Sequence, residues 1–90
     1  MNKADLIEQI AQAAEISKSA AERSVDAFVG AVKTCLRKDE QVTLVGFGTF
    51  YASKRAARTG RNPRTGGEVQ IKAARLPKFR AGKGLKDAIN

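Results

Sequence analysis

The sequence is short of the residues that most catalytic and metal sites use. It contains no histidine, no tryptophan and a single cysteine, Cys35. The usual zinc ligands are therefore missing, and no serine or cysteine has a recognisable base partner. One cysteine cannot form a disulfide within the chain, and Cys35 falls in an apolar helical pattern typical of a small core residue. We predict a protein that is not an enzyme and needs no cofactor.

Long apolar runs are also absent. No stretch approaches the roughly twenty apolar residues of a membrane-spanning helix, and acidic residues interrupt the apolar pattern of the N-terminus, unlike a signal peptide. The expected location is the cytoplasm. The 90 residues suffice for one domain. If about twenty of them form an arm outside the core, only about seventy remain to bury surface, which is marginal for a monomer. The composition therefore suggests a partner subunit.

Acidic residues are scarce in one half of the chain only. Residues 1–45 carry six Lys/Arg and seven Asp/Glu, whereas residues 46–90 carry eleven Lys/Arg against two acids, Glu68 and Asp87. The first half is typical of a solvated scaffold, and the second has the charge that attracts nucleic acid or an anionic membrane. The predicted helices lack a face rich in Lys/Arg, which weighs against a membrane surface.

Helical periodicity occupies the N-terminal half. Asn2 is a suitable cap for a helix over residues 3–14. Ser17 is a suitable cap for a second helix, and residues 19–22 offer a competing capping box two positions later. Two helices joined by two or three residues predict a helical hairpin.

Strand patterns follow a polar break near residue 40. Residues 41–44 alternate polar and apolar, and the Gly-Phe-Gly at 46–48 predicts a tight turn, with a flexible loop as the alternative. A long hairpin is predicted over 54–75, with its turn near residues 62–67. Pro77 limits the next strand to an edge position, and a short final helix is expected after it.

The predicted hairpin is basic and almost free of residues that could enter a core. Its arginines recur at every third position from Arg55 to Arg64. Because glycines and Asn62-Pro63 disfavour a helix, an extended ribbon would place these arginines on both faces, able to contact phosphates in a groove. Pro63 could wedge between base pairs or could simply form the turn, and the residues alone leave both interpretations open.

Two further groups of residues have a functional and a structural interpretation. A second basic cluster could meet phosphates or could be a solvated surface; it comprises Lys78, Arg80, Lys83 and Lys86. Phe47, Phe50 and Phe79 could stack on bases. Aromatic residues flanked by glycine and β-branched residues are more typical of a core, here one shared between subunits.

Four segments together match a known pattern: MNKADLI at 1–7, VGFGTF at 45–50, RAARTGRNPRTG at 55–66 and PKFRAGKGLKDA at 77–88. With them the chain resembles, over its whole length, the HU/integration host factor family of histone-like, DNA-bending bacterial proteins. The arm segment with its GRNP is highly specific.

The resemblance implies an α+β fold in a single domain over residues 1–90. A helical hairpin used for dimerisation would occupy 1–40, and a three-stranded antiparallel sheet 41–80, with a protruding β-ribbon arm at about 54–75. A short C-terminal helix would occupy 81–90. The family also implies an intertwined dimer, either a homodimer or a heterodimer with a sister chain. Its shared core would contain Phe28, Phe47, Phe50 and Phe79.

The resemblance also implies the function. Such a protein binds double-stranded DNA through the minor groove with little sequence preference, favours bent, nicked or gapped forms, and compacts the nucleoid. Residues expected at the DNA are Lys3, Arg55, Arg58, Arg61, Asn62, Pro63, Arg64, Arg80, Lys83 and Lys86, with Pro63 as the intercalating residue. The alternatives are a sequence-specific DNA bender like integration host factor and a general basic module for RNA or anionic surfaces. RNA is an expected additional partner, because phosphate attraction is not selective.

Three positions depart from the family's common pattern. Arg64 stands where a neutral residue, often Gln, is common, which predicts a higher non-specific affinity. Ala81 replaces a frequent capping serine, and Gly84 replaces a frequent alanine. Both changes predict that the last helix frays and holds its lysines less firmly.

Overall fold

The computed structural model describes residues 1–61, 64 and 66–90. It forms two compact units, Met1–Thr34 and Cys35–Asn90. The elements in chain order are α1 (Lys3–Ala14), α2 (Lys18–Arg37), β1 (Val42–Leu44), β2 (Gly48–Arg55), β3 (Arg58–Arg61), β4 (Glu68–Ile71), β5 (Ala74–Ala81) and α3 (Lys83–Ile89). The predicted α+β class is confirmed.

Both N-terminal helices begin at the residues predicted to cap them. The Asn2 Oδ1 accepts the N–H of Asp5 at 2.9 Å, and the Asp5 carboxylate accepts the N–H of Asn2 at 3.2 Å, which forms a reciprocal capping box. The Ser17 hydroxyl accepts the N–H of Ala20 at 3.0 Å. The second helix therefore starts from Ser17 and not from the competing box at 19–22.

The helical unit buries very little. Among the described residues, Ala11 and Ala21 are the only buried apolar side chains. Phe28 is 43% exposed, although an aromatic side chain of this size normally lies in a core. An ion pair of 2.7 Å joins Lys3 of α1 to Asp26 of α2. The predicted helical hairpin is present, and several of its large apolar side chains, among them Leu6, Phe28 and Val29, remain 40% or more exposed in a single chain.

Three antiparallel strands form a sheet in the order β1–β2–β5. Directly opposed residues of an antiparallel pair share a face, and the register pairs Phe50 with Phe79 and Tyr51 with Lys78. We name the two sides accordingly. The apolar face carries Val42, Leu44, Phe50, Ala52, Pro77 and Phe79, and the basic face carries Thr43, Thr49, Tyr51, Ser53, Leu76, Lys78 and Arg80.

The segment between β1 and β2 forms the predicted tight turn and positions α3. The Phe47 N–H donates to the Leu44 carbonyl at 2.9 Å. Gly46 adopts φ 81°, which is required at the third position of a type II turn and suits glycine. The Phe47 carbonyl in turn accepts the N–H of Gly82, the residue before α3, at 2.8 Å. The turn therefore fixes where the last helix begins.

One expectation about the last helix is wrong. Its N-cap is Gly82, whereas Ala81 is the last residue of β5 and pairs with Gly48. The lack of a serine at 81 therefore removes no cap. Gly84 also has a role that the sequence pattern did not predict, since a Cβ there would meet the Gly46 carbonyl oxygen. The glycine permits close approach of α3 to the turn.

The arm is interrupted near its base. The pairing of β2 with β5 ends at Arg55 and Ala74, and β3 and β4 form a separate two-stranded antiparallel sheet. Between the two ladders, the Arg55 Nη2 donates to the Lys72 carbonyl at 3.1 Å. The hairpin predicted over 54–75 is therefore present with a break at residues 56–57 and 72–73, where the Lys72 carbonyl accepts a side-chain hydrogen bond in place of a strand-to-strand one.

The tip of the arm joins β3 to β4. Gly66 adopts φ 70°, a conformation that turns use and that favours glycine. Asn62, Pro63 and Thr65 lie outside the described residues, and so do the predicted roles of Asn62 and Pro63.

Candidate nucleic-acid interface

The basic face presents positive charge and hydroxyl groups on one side of the sheet. The guanidinium of Arg80 lies 5.3 Å from the centroid of the Tyr51 ring, in a cation–π contact. The Thr49 and Thr43 hydroxyls are 3.3 Å apart and hydrogen-bonded. Lys78 lies opposite Tyr51 in the register and is exposed. The face therefore combines exposed cations with ordered polar neighbours.

Three predicted arm residues are exposed. Arg58 and Arg61 are the first and last residues of β3, and Arg64 lies near the tip. The register places Arg61 opposite Glu68, which is the only acidic residue between positions 41 and 86. Because opposite charges across a strand pair attract each other, Glu68 competes with any anionic ligand for Arg61.

Arg55 differs from the other arm arginines because it is half-buried. Its Nη2 donates to the Lys72 carbonyl, and its Nε is buried without a hydrogen-bond partner among the described residues. The guanidinium therefore uses part of its hydrogen-bonding capacity within the base of the arm. The sequence grouped it with the exposed arginines of the arm, since spacing alone cannot distinguish a half-buried arginine from an exposed one.

Two predicted contacts lie on the last helix. Lys83 and Lys86 are exposed and three residues apart, so they occupy neighbouring positions on α3. Arg80 precedes them on the last strand. The hydrogen bond from Gly82 to Phe47 places the start of this helix, so these cations come from a fixed part of the backbone.

Lys3 lies in the helical unit and already has a partner. Its Nζ is 2.7 Å from the Asp26 carboxylate. That hydrogen bond and the carboxylate's charge raise the pKa of Lys3 above its ordinary value, with Glu22 adding to the effect. Lys3 therefore stays charged at neutral pH, and a phosphate group would have to compete with Asp26.

The phenylalanines of the second unit form a cluster away from the basic face. The ring centroids of Phe50 and Phe79 are 4.8 Å apart, and those of Phe47 and Phe79 are 5.4 Å apart. Phe47 and Phe79 nevertheless remain 44% and 41% exposed. Because Phe50 and Phe79 lie on the apolar face, they do not share a surface with Arg80. The arrangement favours a role in a core, and not in base stacking, for these three phenylalanines. Phe28, the fourth predicted core residue, lies in the helical unit.

The strand register adds Tyr51, which the sequence did not single out. Tyr51 lies on the basic face beside Arg80, and Lys78 joins them. Counting alternate residues outward from Phe50 and Phe79 would have placed both on the side opposite the aromatic cluster. This alternation is present in the sequence, but it identifies a shared face only when the pairing of β2 with β5 is known.

Two properties concern only the part of the chain that the structure describes. No group of three or more His, Cys, Asp or Glu side chains there could hold a metal ion. No helix there is long and apolar enough to cross a membrane.

A helical hairpin, a sheet with one apolar and one basic face, and an arginine-rich β-ribbon define a small α+β nucleic-acid-binding protein. Residues 1–90 match the sequence model of the family described as bacterial DNA-binding protein. The chain therefore belongs to this family of histone-like, architectural DNA-binding proteins, and the resemblance noted from its motifs is confirmed.

The chain is similar in sequence to its relatives over the full length. DNA-binding protein HU-beta of Neisseria meningitidis serogroup A is 61% identical over 89 residues, covering 99% of this chain and 100% of the relative. HU-beta of Escherichia coli is 58% identical over 90 residues, covering 100% of both chains.

Solved structures show the same fold. The Anabaena HU–DNA cocrystal structure matches with a TM-score of 0.90 and 37% identity, covering 99% of this chain and 97% of that one. HU from Thermotoga maritima matches with a TM-score of 0.70 and 28% identity, covering 100% of both chains.

Proposed function

We propose that the chain acts as a dimer that binds double-stranded DNA with little sequence preference, bends it, and compacts the nucleoid in the bacterial cytoplasm. One observation carries the proposal. The sheet separates an apolar face from a basic face, and an arm with exposed Arg58, Arg61 and Arg64 continues from it. The Anabaena relative, solved with DNA, supports the same assignment. The ligand is a polyanion that the ribbon and the basic face could hold together.

Dimerisation follows from the uncovered apolar surface. Phe28, Phe47 and Phe79 are each more than 40% exposed in the single chain. We propose that a second subunit covers them together with Phe50, either as a homodimer or as a heterodimer with a sister chain. Residues 1–90 would then act as one domain, in which 1–40 serve dimerisation.

The DNA would be held mainly through its phosphates. The proposed contacts are Lys3, Arg55, Arg58, Arg61, Asn62, Pro63, Arg64, Arg80, Lys83 and Lys86. The arm arginines would enter the minor groove, where the potential is most negative when the groove is narrow. The extra charge of Arg64 would raise non-specific affinity. Bent, nicked or gapped DNA would bind better because its deformation costs less.

Bending is assigned to the tip of the arm. Minor-groove architectural proteins, HU among them, insert apolar wedges between base steps and kink the duplex. Pro63 is a rigid apolar residue that lies in the sequence between β3 and β4, and we propose that it intercalates. The sequence pattern left a plain turn as the alternative, and the GRNP segment favours the wedge.

The salt dependence of DNA affinity tests the proposed function. If a dimer neutralises roughly eight phosphates, the logarithm of the association constant falls with the logarithm of salt concentration at a slope near −7. The Arg58→Ala variant should lower both affinity and slope. An affinity that does not depend on salt would refute phosphate-based binding. Competition with RNA and anionic vesicles, and footprinting on mixed genomic DNA, would reveal a general basic module or a sequence-specific bender.

The Pro63→Ala variant tests the wedge separately. It should weaken bending more than binding, because the substitution removes the wedge and leaves the arginines in place. The measurement is energy transfer between the ends of a short duplex at saturating protein, on nicked and on intact DNA. Equal bending by the variant would refute intercalation by Pro63 without affecting the proposal of DNA binding.

A further inference from the structure

Two cations face each other at the base of the arm. Lys54 and Arg75 are directly opposed in the register of β2 and β5, one pair before the ladder ends at Arg55 and Ala74. They lie on the same side of the sheet as Phe50 and Phe79. Like charges directly opposite one another destabilise a strand pair. Acceptors nearby must therefore offset their repulsion.

The C-terminal end of α2 supplies those acceptors to Arg75. Its Nη1 donates to the Arg37 carbonyl at 2.9 Å and lies 3.3 Å from the Leu36 carbonyl. The last carbonyls of a helix have no intrahelical partners, and they carry the negative end of the helix dipole. A guanidinium suits this position because it is a permanent cation with several donors. Arg75 therefore acts as a C-terminal cap contributed by a distant strand.

Asp39 supplies a carboxylate to Lys54. The Asp39 Oδ2 is 3.6 Å from the Lys54 Nζ, and the lysine side chain is 75% exposed. Such an exposed pair is weak, so Arg75 carries most of the interaction. Asp39 also adopts φ 63°, the left-handed conformation in which a helix commonly ends. The residues that end α2 therefore also supply the acceptors that offset the positive charges of Lys54 and Arg75 at the base of the arm.

We propose that Arg75 is a positioning residue that, together with Lys54, fastens the base of the arm to the end of α2 and so sets the direction in which the arm leaves the sheet. The inference rests on the proposed function only in that the arm is taken to hold DNA. Arg75 then touches no phosphate. Its loss changes the geometry of the arm and leaves the number of phosphate contacts unchanged.

Hydrogen exchange of the free protein tests the fastening without DNA. The Arg75→Gln variant should exchange about tenfold faster at the amides of Lys38 to Glu40 and of the adjoining ends of β2 and β5, as expected when a charge-assisted hydrogen bond is lost. Arg75→Lys keeps the charge and should show a smaller change. Arg23→Gln is the charge-matched control, because Arg23 lies in the helical unit, where its Nη1 donates to the Ser19 hydroxyl at 2.7 Å. Unchanged exchange in Arg75→Gln would overturn the proposal.

The DNA measurement separates positioning from phosphate contact. Arg75→Gln should reduce energy transfer across a bent duplex while leaving the salt slope of binding unchanged. A slope that becomes less negative by about 1.8, for the two copies of Arg75 in a homodimer, would identify Arg75 as a phosphate ligand and overturn the proposal. If the unsubstituted protein itself fails to bend DNA, the proposed function fails, and the exchange result still decides whether Arg75 fastens the arm.

Discussion

The two faces of the three-stranded sheet are built from the same strands and differ in almost every property. One face carries a cluster centred on Phe79, with ring centroids 4.8 and 5.4 Å from those of Phe50 and Phe47. The other carries Arg80 over the ring of Tyr51. Phe79 and Arg80 are neighbours in the sequence and point to opposite sides because side chains alternate along a strand.

The difference shows how a chain of 90 residues can meet two kinds of partner. The period of two assigns apolar side chains to one surface and cations to the other without any additional structure. Under the proposed function, the apolar face meets a second subunit and the basic face meets DNA. Substitutions that differ by a single sequence position should therefore affect stability on one face and DNA binding on the other.

The largest effect is expected on the apolar face. If a second subunit covers this face, Phe79→Ala should lower the free energy of unfolding by about 3 kcal/mol, as for a buried phenylalanine. Lys78→Ala, one residue away on the basic face, should change it by less than about 0.5 kcal/mol. Urea unfolding at two protein concentrations makes the measurement, and the midpoint should rise with concentration. A small loss with a midpoint independent of concentration would contradict a covered apolar face.

A somewhat smaller loss is expected at Gly48, where β2 pairs with the last residue of β5. A Cβ at Gly48 would lie 2.7 Å from the Arg80 carbonyl oxygen and would also meet the Phe79 ring. Gly48→Ala should therefore cost about 2 kcal/mol of unfolding free energy through overpacking.

Gly30→Ala is the matched control for that substitution. Nothing lies within 4 Å of a Cβ at Gly30, in the middle of α2, so the alanine should stabilise the chain by up to about 1 kcal/mol. Thermal unfolding of both variants is sufficient. Equal effects of the two substitutions would show that the close approach at Gly48 is not a constraint.

On the basic face, a substitution is expected to lower the affinity for DNA and to leave the free energy of unfolding nearly unchanged. Arg80→Gln should weaken DNA binding about fivefold, or about 1 kcal/mol, and make the salt slope less negative by up to about 1.8, because a homodimer carries two copies of Arg80. Its unfolding midpoint should stay close to that of the unsubstituted chain. Arg23→Gln removes the same charge from the helical unit and should leave the slope unaltered. If the two variants bind alike, only net charge matters and the basic face has no specific role.

The smallest effect is expected from Tyr51. Tyr51→Leu removes the ring under Arg80, a contact worth about 0.5 kcal/mol at an exposed site, so affinity should fall about twofold. Tyr51→Phe keeps the ring and should bind as the unsubstituted chain does. Titration of a labelled duplex at low salt measures both. If Tyr51→Phe lost as much affinity as Tyr51→Leu, the hydroxyl would be the important group.

Local chemistry made much of this fold predictable. Asn2 and Ser17 mark the starts of both helices because a short polar side chain satisfies amides that a helix leaves free. Gly46 marks a turn because few other residues tolerate its φ. These signals act over three or four residues, and the sequence alone is sufficient to read them.

Interactions between distant segments were not predictable in the same way. Arg55 was grouped with the exposed arginines of the arm, yet its guanidinium reaches the Lys72 carbonyl. Arg75 was given no role, yet it caps α2 from 38 residues away in the sequence. Ala81 was expected to stand at the capping position of the last helix, without a capping side chain, and instead ends a strand. Each depends on the register of β2 with β5, which no local pattern specifies.

The sequence by itself determined the element types, the basic second half, and the family, because propensity, charge and motif are properties of short segments. Only the tertiary structure decided which cations are free and which are engaged. It paired Lys3 with Asp26 and Arg75 with the end of α2, and left Arg58 and Arg61 exposed. The physical reason is that a hydrogen bond or ion pair needs two groups within about 3 to 4 Å of each other, and only folding brings such distant groups together.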